Sequence, residues 1–143
     1  MRYLLKANRV AMQKHLLNCL LLIIPLMAYG QNDPYLSGRA SMINGELESA
    51  AVLLEEALQE NPGEAELYYH LGLVRFELNQ YPAARDAFYE CEKRRKGMGS
   101  FYLAKIETKL NHEQQALKYL RIHLSSRYKL NESDILLDED LST

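Results

Sequence analysis

The sequence predicts an all-α fold built from three helical hairpins. Apolar residues recur at spacings of three and four, which is typical of helices that bury one face. Segments with the same helix–turn–helix layout follow one another at a nearly constant period. Alternating apolar and polar runs, which would indicate strands, are missing from the sequence. We expect helices near residues 33–43, 46–60, 64–78, 81–95, 98–110 and 113–128, with a short further helix at 133–141.

The composition is that of an ordinary globular protein. Of the 143 residues, 48% are hydrophobic and 25% charged, which leaves room for one domain and argues against disorder. The formal net charge is −2, and the first acidic residue is Asp33. All charged side chains before Asp33 are cationic, so the chain from Asp33 onward has a more negative net charge than the full sequence. An acidic body has no electrostatic reason to bind nucleic acid, and we expect none.

Residues 1–30 have the layout of a cleaved secretory signal peptide. A basic stretch precedes the apolar run 16–28, and the small residues Ala28 and Gly30 then stand two apart before polar residues. We expect cleavage after Gly30 and a location in the periplasm or cell envelope of a bacterium. The alternative is a retained membrane anchor, for which 16–28 is short, because a spanning helix needs about 20 residues.

Export would remove Cys19 with the leader and leave Cys91 without an internal disulfide partner. Pairing of Cys91 with a cysteine of another protein is one alternative. We predict instead that Cys91 is a small buried core residue.

The body of the chain, residues 31–130, repeats one hairpin in three units near 31–64, 65–96 and 97–130. Gly38 and Gly72 are 34 residues apart, as are Ala50 and Ala84, and Ala116 follows 32 residues later. Small side chains at these positions would let the two helices of a hairpin cross closely.

Turn residues recur between the helices. Asn44-Gly45 predicts a turn, and Asn79 and Asn111 occupy the matching place in the later units, where Asn tolerates a left-handed conformation. The basic run 93–96 falls at the end of a helix, where cations interact favourably with the helix dipole.

These residues resemble the tetratricopeptide repeat, a 34-residue helical hairpin with an aromatic residue, a Leu-Gly pair, an Ala and a second aromatic at fixed offsets. The second unit matches best, with Tyr68, Leu71, Gly72, Tyr81, Ala84 and Phe88. The first and third units have Pro34 and Ser100 in the first aromatic place. The resemblance covers residues 31–130 and implies a right-handed α-solenoid, with 131–143 as a partial capping helix or tail. Since that cap looks incomplete, we expect the sequence to be part of a longer chain.

In this family, ligand peptides usually lie along a concave wall formed by the first helix of each hairpin. Position by position, the resemblance places on that wall Tyr35, Arg39, Met42, Ile43, Tyr69, Leu73, Phe76, Glu77, Phe101, Lys105, Thr108 and Lys109. Aromatic and cationic side chains together suit an extended or helical peptide with some negative charge. The family's carboxylate clamp is not expected, because its places hold Tyr35, Arg39, His70, Met98 and Tyr102.

No motif for catalysis, metal or cofactor binding stands in the sequence. His70, His112 and His123 are not spaced as metal ligands, and we interpret His123 as a structural residue near the end of the array. The acidic residues 138–140 are interpreted as solvated tail. We therefore expect no enzyme and no cofactor, but an exported scaffold or adaptor that binds a protein or peptide partner.

Two alternatives of other classes stay open. In the first, the chain is the structural arm of a larger or oligomeric envelope protein and has no peptide ligand. In the second, it is an assembly factor that residues 16–28 anchor in the membrane. Self-association through the end of the third unit is expected if the cap is incomplete.

The mature protein is expected to begin at or next to Gln31, because the peptidase pockets beside the cut accept small residues such as Ala28 and Gly30. N-terminal sequencing of protein recovered from the cell envelope measures this. An intact leader would contradict cleavage and favour the anchored alternative.

Overall fold

The structure, a computed structural model, describes residues 33–130, 134–135 and 138–141. Within them lie six α-helices and no strand, which confirms the all-α prediction. The helices are α1 Pro34–Ile43, α2 Leu47–Glu60, α3 Ala65–Glu77, α4 Tyr81–Arg94, α5 Ser100–Lys109 and α6 Glu113–Leu124. The predicted signal peptide and Cys19 lie outside the described residues. None of the helices described here is long and apolar enough to cross a membrane.

Each helix packs against the next one along the chain. The contacts are most extensive within the hairpins α1–α2, α3–α4 and α5–α6, and smaller between hairpins, through α2–α3 and α4–α5. The first helices α1 and α3 also touch each other. Packing of each unit on its sequence neighbour is the arrangement of a helical solenoid.

The helices of each hairpin cross closely at small residues, as predicted. A Cβ atom on Gly72 would lie 2.7 Å from the ring of Phe88, and one on Gly38 would lie 3.1 Å from Leu54. In the third hairpin, Ala104 is fully buried at the place that corresponds to Gly72 in the second. Because the first helix has no bulky side chain at this place, the axes of the two helices can approach closely. The large residue of the second helix, Leu54 or Phe88, then packs directly against the backbone of the first.

Two apolar clusters form the core. The first joins the first two hairpins through Ala50, Leu54, Leu67, Leu71 and Val74, among others. The second joins the last two hairpins through Phe76, Ala84, Phe88, Leu103 and Ile106. Cys91 is fully buried, as predicted for a core residue, and burial raises the pKa of its thiol to about 12.

The predicted Asn turns end the first helices of the second and third hairpins. Asn79 and Asn111 have φ angles of 58° and 59°, in the left-handed region. In each turn, backbone N–H groups return to the last carbonyls of the helix, as from Gln80 to Arg75 (2.8 Å) and from His112 to Glu107 (2.8 Å). Asn accepts this conformation at low cost, which explains its recurrence.

The last helix is shorter than the sequence predicts, since α6 ends at Leu124 rather than near 128. The hydroxyls of Ser125 and Ser126 donate hydrogen bonds to the carbonyls of Ile122 and His123. These serines satisfy carbonyls that a further helical turn would otherwise use.

Replacing Gly72 by Ala is expected to lower the free energy of unfolding by about 1–3 kcal/mol, because the new methyl group overlaps the ring of Phe88. The ring has little freedom to move, since it is fully buried and stacked on Tyr102. Urea unfolding followed by circular dichroism measures the change. Gly63→Ala is the matched control, because nothing lies within 4 Å of the added methyl. Equal stability changes in the two variants would contradict the close crossing.

Candidate functional site

The first helices of the three hairpins, α1, α3 and α5, form the surface on which the resemblance predicts ligand binding. This surface is here called the first-helix wall. The structure leaves Arg39, Ile43, Glu77 and Lys109 exposed. It half-buries Tyr35, Met42, Tyr69, Leu73, Lys105 and Thr108, and it buries Phe76 and Phe101. The predicted residues therefore divide into exposed groups that can meet a partner and buried groups that support them.

An aromatic cluster joins α3 to α5, and Tyr102 is its centre. The ring of Tyr102 stacks on Phe88, with centroids 5.0 Å apart and planes at 10°. It also makes edge contacts with Tyr69, Phe76 and Phe101 at 5.5–6.0 Å. Tyr102 is not among the residues that the resemblance places on the wall. The sequence pattern gives little indication of this role, because the matching place in the preceding unit holds His70 and the aromatic residue does not recur.

Lys105 lies over this cluster. Its ammonium is 5.3–5.6 Å from the ring centroids of Phe76, Phe101 and Tyr102, within the range of cation–π attraction. One helical turn later, the ammonium of Lys109 lies 5.6 Å from the ring of Tyr81. The two cations, here called the lysine pair, thus share one face of α5.

The lysine pair contacts carboxylates of the chain itself. The Nζ atom of Lys105 is 2.9 Å from Asp138 Oδ2 and 2.8 Å from Asp140 Oδ2, and Lys109 Nζ is 2.5 Å from Asp140 Oδ1. The Asp138 and Asp140 side chains are only 16% and 23% exposed. The interpretation of residues 138–140 as solvated tail was therefore wrong for these two carboxylates. They pair with residues about 30 positions earlier, and the sequence has no short-range signal for such a contact.

The charges of this site reinforce one another. Burial acts against ionisation of Asp140, but hydrogen bonds from Lys105 and Lys109 outweigh it and lower the pKa of the carboxyl. Burial likewise favours neutral Lys105, yet the hydrogen bonds to Asp140 and Asp138 raise its pKa. At neutral pH the lysine pair is therefore cationic and Asp140 is anionic.

An apolar cleft of about 310 Å³ opens beside the aromatic cluster. Its lining residues are Tyr69, Met98, Phe101, Tyr102, His123, Tyr128 and Leu130. His123 is 2% exposed, in the structural position that the sequence predicts, and its Nε2 accepts a hydrogen bond from the Leu130 N–H (3.0 Å). A cleft of mainly aromatic and aliphatic atoms suits an apolar side chain.

The opposite end of the first-helix wall also carries a cation, Arg39. The guanidinium of Arg39 lies 5.7 Å from the ring of Tyr35, which in turn contacts the His70 ring at 5.6 Å. Burial and the charge of Arg39 lower the pKa of His70, so this imidazole is neutral at neutral pH. In the described part of the chain, no group of three or more His, Cys, Asp or Glu side chains is placed to hold a metal ion.

Comparisons with known proteins agree on the fold. A family model described as tetratricopeptide repeat matches residues 41–88, from the end of α1 into α4. No curated protein sequence matches the chain. Among solved structures, 34 chains match the fold of this chain. One is MamA AMB-1 in a P212121 crystal, with a TM-score of 0.62, 17% identity, and coverage of 73% of this chain and 58% of that chain. Another belongs to the CopN-Scc3 complex, with a TM-score of 0.63, 19% identity, and coverage of 76% and 65%.

These likenesses define the class of fold. The chain is an all-α solenoid of tetratricopeptide-type hairpins, and its match to a repeat model lies where the sequence pattern is strongest. This fold is typical of protein–protein interaction modules. The chain spans 58% and 65% of the length of the two solved chains.

Acidification is expected to destabilise the fold through His123. Burial lowers the pKa of His123 more than the Gly97 backbone and the Glu92 carboxylate raise it. In the unfolded chain the imidazole titrates near its ordinary pKa of about 6.5. As the pH falls from about 7.5 to 5.5, the unfolded state therefore binds a proton that the folded state binds less readily, and stability decreases.

The melting temperature at the two pH values measures this effect, with His123→Gln as the comparison. Glutamine keeps an acceptor for the Leu130 N–H but does not titrate. His70 contributes equally in both proteins and cancels. An identical loss of melting temperature on acidification in wild type and variant would contradict the assignment.

Proposed function

We propose that the chain is an exported adaptor that binds an acidic segment of a partner protein on the first-helix wall. The observation that carries the proposal is the lysine pair beside the aromatic cluster, with two carboxylates in contact with it. The contact of the chain's own carboxylates with this surface supports acidic side chains as its ligand groups. The partner's segment would present Asp or Glu to the lysine pair.

The neighbouring groups favour a peptide over an isolated anion. Lys105 and the rings of Phe76 and Phe101 are held by the core, so little conformational entropy is lost when they meet a ligand. The cleft lined by Tyr69 and Met98 offers a place for an apolar side chain next to the cationic site. Charges would give specificity and fast association, and the aromatic cleft would supply affinity.

The location proposed for this activity is the periplasm or envelope. Its support is the order of basic, apolar and small residues in 1–30, which is typical of export signals. The CopN-Scc3 complex matches this fold and is itself a protein assembly, which supports a protein rather than a small-molecule partner.

Lys105→Gln with Lys109→Gln is expected to weaken binding of acidic peptides at least about tenfold, because both cations of the lysine pair are lost while the fold is kept. The probe is a set of short synthetic peptides that differ only in the number of Asp residues, measured by fluorescence anisotropy at low ionic strength. The matched control, Lys96→Gln with Lys118→Gln, removes the same charge from exposed positions of other helices and turns.

Binding that increases with acidic content in wild type and control, and is lost in the Lys105/Lys109 variant, supports the proposal. Binding without preference for acidic peptides would contradict it, as would an equal loss in both variants. Circular dichroism of each variant verifies that the helices are retained.

A further inference from the structure

We propose that Asp138 and Asp140 are a built-in occupant of the lysine pair, so that a partner segment with two closely spaced carboxylates binds only by displacing them. The proposal rests on the proposed function, because it takes the first-helix wall as the binding surface. It adds the spacing of the ligand's acidic groups and a competitor within the chain.

The geometry of the contact is that of a ligand on a receptor. Lys105 and Lys109 are one turn apart on α5, and Asp138 and Asp140 are two residues apart in the acidic segment, residues 138–141. Asp140 contacts both ammonium groups through its two oxygens, and Asp138 contacts Lys105. A pair of cations one turn apart therefore selects carboxylates at positions i and i+2 of a short turn.

The acidic segment is organised to present these carboxylates. The Leu141 N–H donates to the Asp138 carbonyl (3.1 Å), and the Asp140 N–H donates to Asp138 Oδ1 (3.1 Å). These bonds form a turn that fixes the two side chains relative to each other. Upstream, Ile135 is buried and anchors the segment, and its carbonyl accepts the Asp138 N–H (3.3 Å).

The contact is also displaceable. In largely buried ion pairs the cost of removing two charges from water offsets much of their attraction, and a partner carboxylate that takes the same place restores the pairing. The cleft beside the aromatic cluster is lined by residues up to Leu130 and by none of the acidic segment. A partner that replaces the two carboxylates and also places an apolar side chain in this cleft would make contacts that the acidic segment does not make.

A competitor within the chain lowers the apparent affinity for any partner by the fraction of molecules in which the wall is open. Release of the acidic segment should therefore raise affinity without changing the wall itself. Asp138→Asn with Asp140→Asn removes the two carboxylates and keeps the size of both side chains. Asp134→Asn with Glu60→Gln has the same net charge and alters exposed carboxylates that, among the described residues, make no ion pair with the lysine pair.

The test uses the full chain and a fluorescein-labelled synthetic peptide of residues 133–143 as the probe. We expect the Asp138/Asp140 variant to bind the probe about tenfold more tightly than wild type. The control variant should bind like wild type. Adding Lys105→Gln and Lys109→Gln to the Asp138/Asp140 variant should abolish the gain.

The possible outcomes separate the two proposals. If wild type and the Asp138/Asp140 variant bind the probe equally while the lysine substitutions abolish binding, the internal competitor is wrong and the proposed function stands. If binding survives the lysine substitutions, the proposed function is wrong. If no variant binds the probe, both are wrong. A lower melting temperature of the Asp138/Asp140 variant with unchanged affinity would make the acidic segment a structural cap only, and would also overturn the inference.

A second readout follows the contact itself. In a carboxyl-detected NMR titration of the full chain, the pKa of Asp140 is expected to return toward its ordinary value when Lys105 and Lys109 are replaced by Gln. An unchanged Asp140 titration would mean that the carboxylate does not pair with the lysine pair in solution, which would overturn the inference.

Discussion

The ring of Phe88 connects the packing of the hairpins to the chemistry of the wall. Its edge lies against the backbone of α3 at Gly72, where any Cβ would collide with it, and its face stacks on Tyr102 of α5. This one side chain of α4 therefore fixes the distance between α3 and α4. It also fixes the orientation of the Tyr102 ring, over which Lys105 lies. Because interiors are close-packed, a shift at Gly72 would be transmitted to the wall rather than absorbed.

The wall is consequently part core and part surface. Phe76 and Phe101 are buried and Tyr69 is half-buried, and burial together with Tyr102 and Cys91 raises the pKa of the Tyr69 phenol to about 12. These rings are uncharged at neutral pH, and those of Phe76 and Phe101 lie beneath Lys105 as a platform of low dielectric. Electrostatic interactions over such a platform are stronger than in open water, so two cations suffice to define a local site.

Net charge gives no indication of this site. The chain carries a formal charge of −2, yet the lysine pair makes a positive spot on α5 that two of its own carboxylates cover. Attraction at contact distance depends on which side chains the fold brings together, and it is screened over about 10 Å in salt. An acidic protein can therefore present a surface that binds acidic segments.

The amino-acid sequence by itself determined the helices, the hairpin order and the turns. Apolar spacing within each helix, the small residues Gly38 and Gly72, and the left-handed turns at Asn79 and Asn111 are short-range features, so they can be seen without the fold. It also predicted the burial of Cys91 and His123, because their places in the repeat face a neighbouring helix.

Only the tertiary structure decided which wall residues are exposed, that Tyr102 is the centre of the aromatic cluster, and that Asp138 and Asp140 contact the lysine pair. Each of these depends on how successive hairpins stack and on where the chain returns after α6. A periodic pattern defines the faces of one helix, whereas contacts between distant segments follow from the accumulated rotation of the whole array.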